Sequence, residues 1–233
     1  MSYLLPSDPD FWDPEKYCHL NKIRSKSGAV VPFKLWEHQR ILAAAVRRCY
    51  KENKWLVHVK PRQEGSSTFF TCVATQHAMF RTGCRVGLLA HKKDTARSLS
   101  EMAVRFHRHL PEAIRPKKSV GLKRTLEFPV LDSRMVIASV KDEEPLRGDT
   151  VQVLLATEIS KWSDTAGPDA WTSALNAVPS TGGFVIAEST PSYHGDQLHD
   201  LCLASEKPHS KWMKVFIPWT MVTEYSKQPP VGW

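Results

Sequence analysis

A short polar stretch between two apolar segments holds the residues best suited to bind phosphate. Residues 60–68 read Lys-Pro-Arg-Gln-Glu-Gly-Ser-Ser-Thr, between the apolar runs 55–59 and 69–74. A loop that joins a buried strand to a helix presents backbone N–H groups and the positive end of the helix dipole to an anion. Lysine adds charge for a phosphate, and a serine or threonine hydroxyl ligates magnesium. The stretch therefore has the composition of a phosphate-binding loop.

The stretch matches the usual phosphate-loop pattern only in part. That pattern is a glycine, four residues, and then Gly-Lys-Ser/Thr. Here Lys60 stands at the first glycine position, Gly65 at the second, Ser66 at the lysine position and Ser67 at the hydroxyl position. Taken alone, the stretch fits equally well a phosphate loop and a glycine–serine cap in an ordinary strand–turn–helix unit.

The bulk properties describe a globular protein. The 233 residues are 42% hydrophobic and 24% charged, and this length suits one large α/β domain. No apolar run approaches the roughly 18 residues of a membrane span, and the N-terminal ten residues lack the basic and apolar regions of a signal peptide. Five scattered cysteines without a Cys-x-x-Cys pair predict reduced thiols and no zinc site. We expect a cytoplasmic protein without a membrane partner.

Positive charge is in excess and is unevenly distributed. The chain has 32 Lys and Arg against 24 Asp and Glu, a net charge of +8, which favours a polyanionic partner. From Arg105 to Arg124 there are seven basic residues and one acidic residue, Glu112. Such a run is explained both by a nucleic-acid contact and by a solvated face of helix and loop.

Apolar runs alternate with helix-forming segments along most of the chain. Strands that alternate with helices of ten or more residues predict crossover connections and a mainly parallel sheet covered on both faces. We predict strands at 55–59, 85–90, 126–128, 135–140, 151–156, 184–187 and 212–217, and helices at 33–50, 67–81, 93–109, 168–178 and 197–205.

The predicted strand at 151–156 leads to a carboxylate suited to nucleotide hydrolysis. In a large class of nucleotide hydrolases a buried strand ends in Asp-Glu, where the Asp holds the water shell of magnesium and the Glu orients or deprotonates the attacking water. Here Glu158 stands at the Glu position, but Thr157 replaces the Asp. A buried strand followed by a surface glutamate gives the same pattern.

A third apolar strand ends in small hydroxyl residues. The segment 183–188 is followed by Ser189, Thr190 and Pro191, in the place where a phosphate-sensing motif would lie. Alone, it is an ordinary exit from a strand into a turn. The chain order of the loop, Glu158 and this motif supports a nucleotide-binding protein.

Five segments carry a family resemblance. They are Lys60-x-Arg62-Gln63-x-Gly65-x-Ser67, Leu146-Arg147-Gly148, Leu154-Leu155-Ala156-Thr157-Glu158, Ser189-Thr190-Pro191 followed by Gly195, and residues 212–219. In this order they resemble the N-terminal ATPase domain of the large subunit of tailed-bacteriophage terminases, the DNA-packaging motors. The resemblance covers residues 33–219. It implies a P-loop NTPase fold of the ASCE type, with a mainly parallel central sheet and helices on both faces.

The resemblance implies a role for each residue of the loop. The lysine at the start of the loop and the loop amides would bind the phosphates of ATP, and Ser67 would approach Mg²⁺, with Thr68 as its substitute if the register shifts. Arg62 would reach the γ-phosphate, where cationic stabilisation of the transferred group matters most. The implied phosphate-binding set is Lys60, Arg62, Gln63, Glu64, Gly65, Ser66, Ser67 and Thr68.

Further roles follow outside the loop. Glu158 would be the catalytic carboxylate and would reach the metal through water. Arg147 resembles the arginine finger that such motors supply to a neighbouring subunit, although an exposed arginine beside an acidic run explains it as well. Gln39 resembles the adenine-reading glutamine, since an amide pairs with the donor and acceptor on the adenine edge. Ser189, Thr190 and Pro191 would form the coupling motif.

The resemblance also implies a function and a domain plan. Residues 1–30 would be an N-terminal arm that packs on the core, residues 31–220 the ATPase domain, and residues 221–233 the start of a linker toward a nuclease domain, so that nuclease activity is not expected. With Mg²⁺ and ATP, a homo-oligomeric ring would drive double-stranded DNA into a procapsid, in the cytoplasm of the bacterial host. The portal protein and the small terminase subunit would be partners. The basic residues assigned to DNA contact are Lys117, Lys118, Lys123 and Arg124.

Two substitutions within the motifs keep other functions open. Thr157 lacks the carboxylate of the usual Asp, and Ser66 leaves the loop dependent on Lys60 for phosphate charge. One alternative is a helicase-like or other DNA-stimulated ATPase. The other is a degenerate nucleotide fold that binds DNA or a partner protein without hydrolysis.

Overall fold

The computed structural model describes residues 5–120, 125–142, 146, 148–166 and 169–222. The described residues form ten strands and seven α-helices, joined by short 3-10 turns. The strands are β1 (Lys22–Arg24), β2 (Val30–Pro32), β3 (Trp55–Val59), β4 (Arg85–Ala90), β5 (Ser119–Val120), β6 (Thr125–Phe128), β7 (Ser133–Ser139), β8 (Val153–Thr157), β9 (Phe184–Ser189) and β10 (Trp212–Phe216), and the helices are α1 (Pro14–Cys18), α2 (Glu37–Glu52), α3 (Ser66–Phe80), α4 (Lys93–His109), α5 (Trp162–Ala166), α6 (Asp169–Asn176) and α7 (Gln197–Glu206).

Eight of these strands form one sheet, in the order β10-β3-β9-β8-β4-β7-β6-β5. Neighbours from β10 to β7 are parallel, and β6 and β5 extend the edge with antiparallel pairs. Strand β9 lies between β3, which leads into the phosphate-loop segment, and β8, which leads to Glu158. The carboxyl ends of these three neighbouring parallel strands therefore meet at one edge, where open α/β sheets bind ligands.

Helices cover both faces of the sheet, as the alternation of segments predicts. On one face, α2, α3 and α4 bury Leu42, Phe70 and Phe106 in a core that includes Leu155 of β8. On the other face, α5, α6 and α7 pack in a second core that includes the neighbouring Leu154. Because successive residues of a strand point to opposite faces, each central strand is apolar on both sides. The predicted α/β fold with a mainly parallel sheet is confirmed.

The N-terminal residues contribute side chains to the first core. Phe11 and Tyr17 are fully buried there, and the Phe11 ring meets the Phe80 ring of α3 edge to face at 4.7 Å. Strands β1 and β2 form a separate antiparallel hairpin. Burial of two large aromatic side chains contributes several kcal/mol, about 1.5–3 for each, so this segment is tied to the domain.

One predicted helix begins later than its sequence pattern indicates. The first long helix begins at Glu37 rather than at residue 33. Phe33 and Leu35 are buried in an extended segment before it, and the Trp36 N–H donates to Gln39 Oε1 at 3.0 Å, closing the first turn. An apolar residue that packs on the core ahead of a helix has the same periodicity as one inside it, so the sequence pattern overestimated the helix by one turn.

The state of the cysteines and the hydropathy of the helices can be read from the described residues. All five cysteines are free thiols, in agreement with the expectation from their spacing. Within the described ranges, no helix combines the length and the apolar character needed to cross a bilayer.

Candidate nucleotide-binding and catalytic site

The loop from Lys60 to Gly65 joins the carboxyl end of β3 to the first turn of α3. Its start is held by a hydrogen bond from the Lys60 N–H to the Ser189 carbonyl of β9, at 3.1 Å. Its end is Gly65, the N-cap of α3, which has a φ of 81°. The N–H groups at the start of this 15-residue helix and the helix dipole are features that suit the binding of an anion.

One lysine and two carboxylates meet directly behind the loop. Lys60 Nζ lies 3.4 Å from Glu158 Oε1 and 3.8 Å from Glu188 Oε1, and it donates to Ser67 Oγ at 3.2 Å. The hydroxyls of Ser66 and Ser67 donate to the two oxygens of Glu188, at 2.8 and 2.5 Å respectively. The ends of β3, β8 and β9 and the start of α3 thus build one polar cluster.

The charges in the cluster stabilise one another. Burial lowers the pKa of Lys60, but the Glu188 and Glu158 carboxylates outweigh that effect, and its pKa lies above the ordinary value. Burial raises the pKa of Glu158, yet Lys60 and Lys161 together hold it below the ordinary value. At neutral pH, Lys60 is therefore protonated and Glu158 ionised, which is the state in which a carboxylate accepts a proton.

Glu158 has an unusual backbone conformation. Its φ and ψ are 55° and 42°, in the left-handed region, which a residue other than glycine rarely adopts. Such strain collects at functional sites, where the surrounding structure holds it in place. Lys161 Nζ donates to Glu158 Oε2 at 3.2 Å, while the other oxygen faces Lys60. The strained turn directs a partly exposed carboxylate toward the loop.

Thr157, at the position where the motif has Asp, lies in the interior of the site. It is 1% exposed, and its Oγ1 is buried without a hydrogen-bond partner. Its register partner on β9 is Glu188. Residues paired in this way on parallel strands point to the same face, so the Thr157 and Glu188 side chains both lie on the α3 side of the sheet.

The motif after β9 contacts the segment after Glu158. Ser189 Oγ and Ser160 Oγ are 2.5 Å apart, and Ser160 Oγ donates to the Thr190 carbonyl at 2.7 Å. Since Ser189 also accepts from the Lys60 N–H through its carbonyl, it links the loop to the chain beside the carboxylate. Pro191 is exposed just beyond these contacts.

Two side chains of α2 support the loop from the outside. Gln39 Nε2 donates to the Gly65 carbonyl at 3.0 Å, and His38 Nε2 lies 2.7 Å from the Glu64 carbonyl. The Gln39 oxygen is bonded to the Trp36 N–H, and the side chain is 3% exposed. Gln39 therefore positions the loop, and adenine reading by Gln39 stays a prediction.

Glu64 points into the protein and not into the loop. It is 1% exposed, and its Oε1 lies 3.0 Å from His58 Nε2 of β3. Burial raises the pKa of Glu64, but the hydrogen bond from His58 outweighs this and the pKa lies below the ordinary value. The Glu64 side chain thus anchors the loop to β3, and phosphate binding by Glu64 stays a prediction for its backbone N–H.

The remaining predicted residues are spread more widely. Arg62 and Gln63 are exposed at the tip of the loop, and Gln63 has a φ of 55°. Thr68 Oγ1 faces Met102 Sδ at 3.8 Å, so Ser67 and not Thr68 meets the carboxylates. Lys117 and Lys118 are exposed between α4 and β5. Three predicted residues, Arg147, Lys123 and Arg124, lie outside the described residues.

Glu188 is the principal residue of the cluster that the motifs do not single out. It is fully buried and accepts both loop hydroxyls. In the sequence it follows Phe-Val-Ile-Ala in an apolar run. A charged residue at the end of an otherwise buried strand is a signal of function, because an ionised side chain is rarely buried without a partner.

The oxygen atoms of the cluster are suitable ligands for Mg²⁺. This ion prefers oxygen ligands and keeps several waters, taking one or two protein carboxylates together with substrate phosphates. Ser67 Oγ, Glu188 and Glu158 supply such oxygens, and the unpaired Thr157 Oγ1 adds another. Among the described residues no group of three or more His, Cys, Asp or Glu side chains forms an all-protein metal site. The arrangement therefore suits an ion whose other ligands are phosphate and water.

Comparisons with known proteins identify the fold. The HK97 bacteriophage large terminase superposes with a TM-score of 0.69 and 12% sequence identity, over 87% of this chain and 42% of that one. The ATPase domain of the Thermus phage P74-26 large terminase superposes with a TM-score of 0.53 and 18% identity, over 72% of this chain and 78% of that domain. The chain has the fold of a phage large-terminase ATPase domain. It spans less than half of the HK97 large terminase.

At the level of sequence the similarity to known proteins is weak. No protein-family model matches the chain, and no curated protein matches it. The similarity to terminase ATPase domains is therefore one of three-dimensional fold.

Substitution of Gly65 by alanine tests the role of the loop backbone. A Cβ at Gly65 would lie 2.8 Å from Gln39 Nε2, whereas one at Gly28, which has a similar φ of 87°, would meet nothing within 4 Å. Both changes are expected to lower the free energy of unfolding by about 1–2 kcal/mol through left-handed strain. Only Gly65→Ala also displaces Gln39, and we expect it to weaken ATP binding about tenfold, equivalent to about 1.4 kcal/mol.

The comparison uses calorimetric ATP titration and urea unfolding of both variants. Gly28→Ala is the matched control, because its turn joins β1 and β2 away from the loop. Equal ATP affinities for the two variants would contradict a role of the Gly65–Gln39 contact in binding.

Proposed function

We propose that this domain binds ATP with Mg²⁺ and hydrolyses it to drive double-stranded DNA in a packaging motor. The observation that carries the proposal is the convergence of Lys60, Ser67, Glu158 and Glu188 at the carboxyl ends of neighbouring strands. This arrangement lies in a fold that phage large-terminase ATPase domains share.

Each residue of the cluster has a separate role in ATP hydrolysis. Lys60 and the N–H groups at the start of α3 bind the phosphates, and the exposed Arg62 reaches the γ-phosphate. Glu158 orients the attacking water and accepts its proton, as the water oxygen bonds to the γ-phosphorus and the bond to the β-phosphate oxygen breaks. Ser67 and the neighbouring carboxylates would hold Mg²⁺, which would supply positive charge against the phosphates. Arg147 of a neighbouring copy supplies a further positive charge.

Loss of the γ-phosphate is sensed through the Ser189–Thr190 motif. The support is the hydrogen-bond chain from the Lys60 N–H through Ser189 to Ser160, two residues after Glu158. A change at the phosphate position would therefore reach the end of β9 and the segment after β8 together. In nucleotide hydrolases, short segments commonly become ordered or move when the γ-phosphate is bound or lost.

DNA is contacted through its phosphate backbone, without sequence preference. The net charge of +8 supports this, as does the crowding of basic residues along α4. The pKa of Arg105 lies below its ordinary value, first because of burial and further because Arg24 and Arg108 are nearby, while Glu101 raises it in part. Lys117 and Lys118 extend this basic surface. A homo-oligomeric ring, the portal protein and the small terminase subunit complete the motor.

The test is ATP turnover by the purified chain, with and without DNA. We expect magnesium-dependent turnover that duplex DNA increases, and DNA affinity whose salt dependence weakens when Lys117 and Lys118 are both replaced by Glu. Each lost phosphate contact lowers the slope of log affinity against log salt by about 0.9. Stimulation by single-stranded DNA alone would favour a helicase-like ATPase. Absence of both ATP binding and turnover would leave a DNA- or protein-binding module.

A further inference from the structure

Strand β8 lacks the aspartate that usually binds the metal in such sites. The neighbouring strand β9 carries a glutamate beside that position. Thr157 cannot supply negative charge, and its Oγ1 is buried without a partner. Glu188 is paired with Thr157 in the strand register. Neighbouring strands lie about 4.8 Å apart, and a glutamate side chain is one methylene longer than aspartate. Glu188 can therefore bring its carboxylate toward the space that an aspartate at position 157 would fill.

The contacts of Glu188 are those of a metal-site carboxylate. Ser67, the hydroxyl residue of the loop, donates to Glu188 Oε1 at 2.5 Å. Glu158, in contrast, is bonded to Lys60 and Lys161. The hydroxyl that the loop offers to a metal thus lies against Glu188 and not against Glu158.

The charge balance also favours a cation at this point. Glu188 is fully buried, and within the described residues its cationic partner is Lys60, at 3.8 Å. Glu188 shares this lysine with Glu158, which lies nearer to it at 3.4 Å and has a second cation in Lys161 at 3.2 Å. A buried carboxylate is costly unless it is paired. Glu188 is therefore the less well compensated of the two carboxylates, and a divalent ion would supply positive charge beside it.

We propose that Glu188 replaces the missing aspartate of β8 and, together with Ser67, holds the water shell of Mg²⁺ when nucleotide is bound. The proposal rests on the proposed nucleotide-binding function of this site. It assigns separate tasks to the two glutamates: Glu188 of β9 holds the metal, and Glu158 after β8 acts on water. The metal carboxylate has thus moved from one strand to its neighbour.

The experiment measures metal binding directly, independent of turnover. The full 233-residue chain is mixed with a non-hydrolysable ATP analogue, and Mn²⁺ is titrated while free Mn²⁺ is followed by electron paramagnetic resonance. Calorimetry of the analogue, with Mg²⁺ and with EDTA, gives nucleotide affinity in parallel. Four proteins are compared: the wild type, Glu188→Gln, the double variant Thr157→Asp/Glu188→Gln, and Asp196→Asn as a control for a buried carboxylate changed to an amide.

We expect Glu188→Gln to bind Mn²⁺ about 10–100-fold more weakly, the usual effect of removing a residue that orients metal ligands. The double variant restores a carboxylate on β8 and should recover at least part of this loss, whereas Asp196→Asn should match the wild type. Recovery in the double variant also excludes a simple folding defect, which thermal melting of each protein checks.

Unchanged Mn²⁺ affinity in Glu188→Gln, or no recovery in the double variant, would overturn the assignment of Glu188 while leaving the nucleotide site intact. Failure of the wild type to bind the analogue at all would overturn the proposed function, and the metal assignment with it. The two failures are therefore distinguished by the wild-type titration.

Discussion

Replacement of Glu158 by glutamine is expected to lower the rate of ATP turnover by about 10²–10⁴-fold, the usual contribution of a general base. The amide keeps the shape of the side chain but cannot take a proton from the attacking water. Because Glu158 does not contact the phosphate-binding backbone, we expect ATP affinity to change little. Steady-state phosphate release, together with calorimetric titration of ATP, separates the two effects.

A control variant distinguishes loss of this carboxylate from a general effect of lost charge. Glu206 also pairs with a lysine, Lys214, but it lies at the end of α7, and Glu206→Gln should retain wild-type turnover. Near-normal turnover by Glu158→Gln, with Glu206→Gln unchanged, would contradict the catalytic assignment. A loss of ATP binding in Glu158→Gln would instead place the residue in ground-state binding.

Replacement of Lys60 by methionine should affect both ATP affinity and stability. Loss of its charge removes a contact to phosphate worth about 2–3 kcal/mol, so that ATP should bind about 100-fold more weakly. In the free protein, Lys60 is also the cation between Glu158 and the buried Glu188. Breaking a buried charge pair on one side costs about 3 kcal/mol, which urea unfolding measures.

The double variant Lys60→Met/Glu188→Gln separates these contributions. With the buried carboxylate neutralised as well, most of the lost stability should return, but the lost ATP affinity should not. Wild-type stability of Lys60→Met would show that the pair is unimportant for folding. Wild-type ATP affinity would remove Lys60 from the phosphate site.

The stabilising effect of Lys60 should also depend on pH. Its pKa in the folded protein lies above the ordinary 10.5, so the folded state keeps a proton that the unfolded state loses. The contribution is therefore complete below about pH 10 and declines as the pH rises through the folded pKa. Unfolding of Lys60→Met should lack this alkaline decline.

The sequence contains enough information for the framework of the site. Strand 55–59, the loop, and helix 93–109 agree with the structure residue for residue or nearly so, because local apolar periodicity and flanking glycine or proline determine them. The parallel sheet follows from the alternation of elements. The position of the segment at 60–68 between a strand and a helix also agrees with the structure, while phosphate binding by it stays a prediction.

The order of strands in the sheet could not be read from the sequence, and Glu188 was missed for that reason. Glu188 matters because β9 lies between β3 and β8 in the sheet. The pairing of β9 with β3 joins segments more than a hundred residues apart in the chain. Only then does Glu188 lie opposite Thr157 and against Ser67. The inward orientation of Glu64 was missed in the same way, because His58 and His38 approach it from a strand and a helix that precede the loop.

The sequence did indicate where the chemistry of the site departs from the usual pattern. Thr157 and Ser66 stand out against the motif, and in the structure both residues lie beside Glu188. Ser66 Oγ donates to Glu188, and Thr157 is paired with the same residue in the sheet. Lys60, at the other end of the loop, supplies the positive charge that Ser66 lacks.

A crystal structure with Mg²⁺ and a non-hydrolysable ATP analogue would show directly whether the Lys60–Thr68 loop holds the phosphates of ATP. We expect a terminal phosphate within hydrogen-bonding distance of Lys60 Nζ and of the N–H groups at the start of α3, with the metal beside Ser67. An analogue bound elsewhere on the protein, with the loop and its Lys60–Glu188 contact undisturbed, would show that this loop is not the phosphate site.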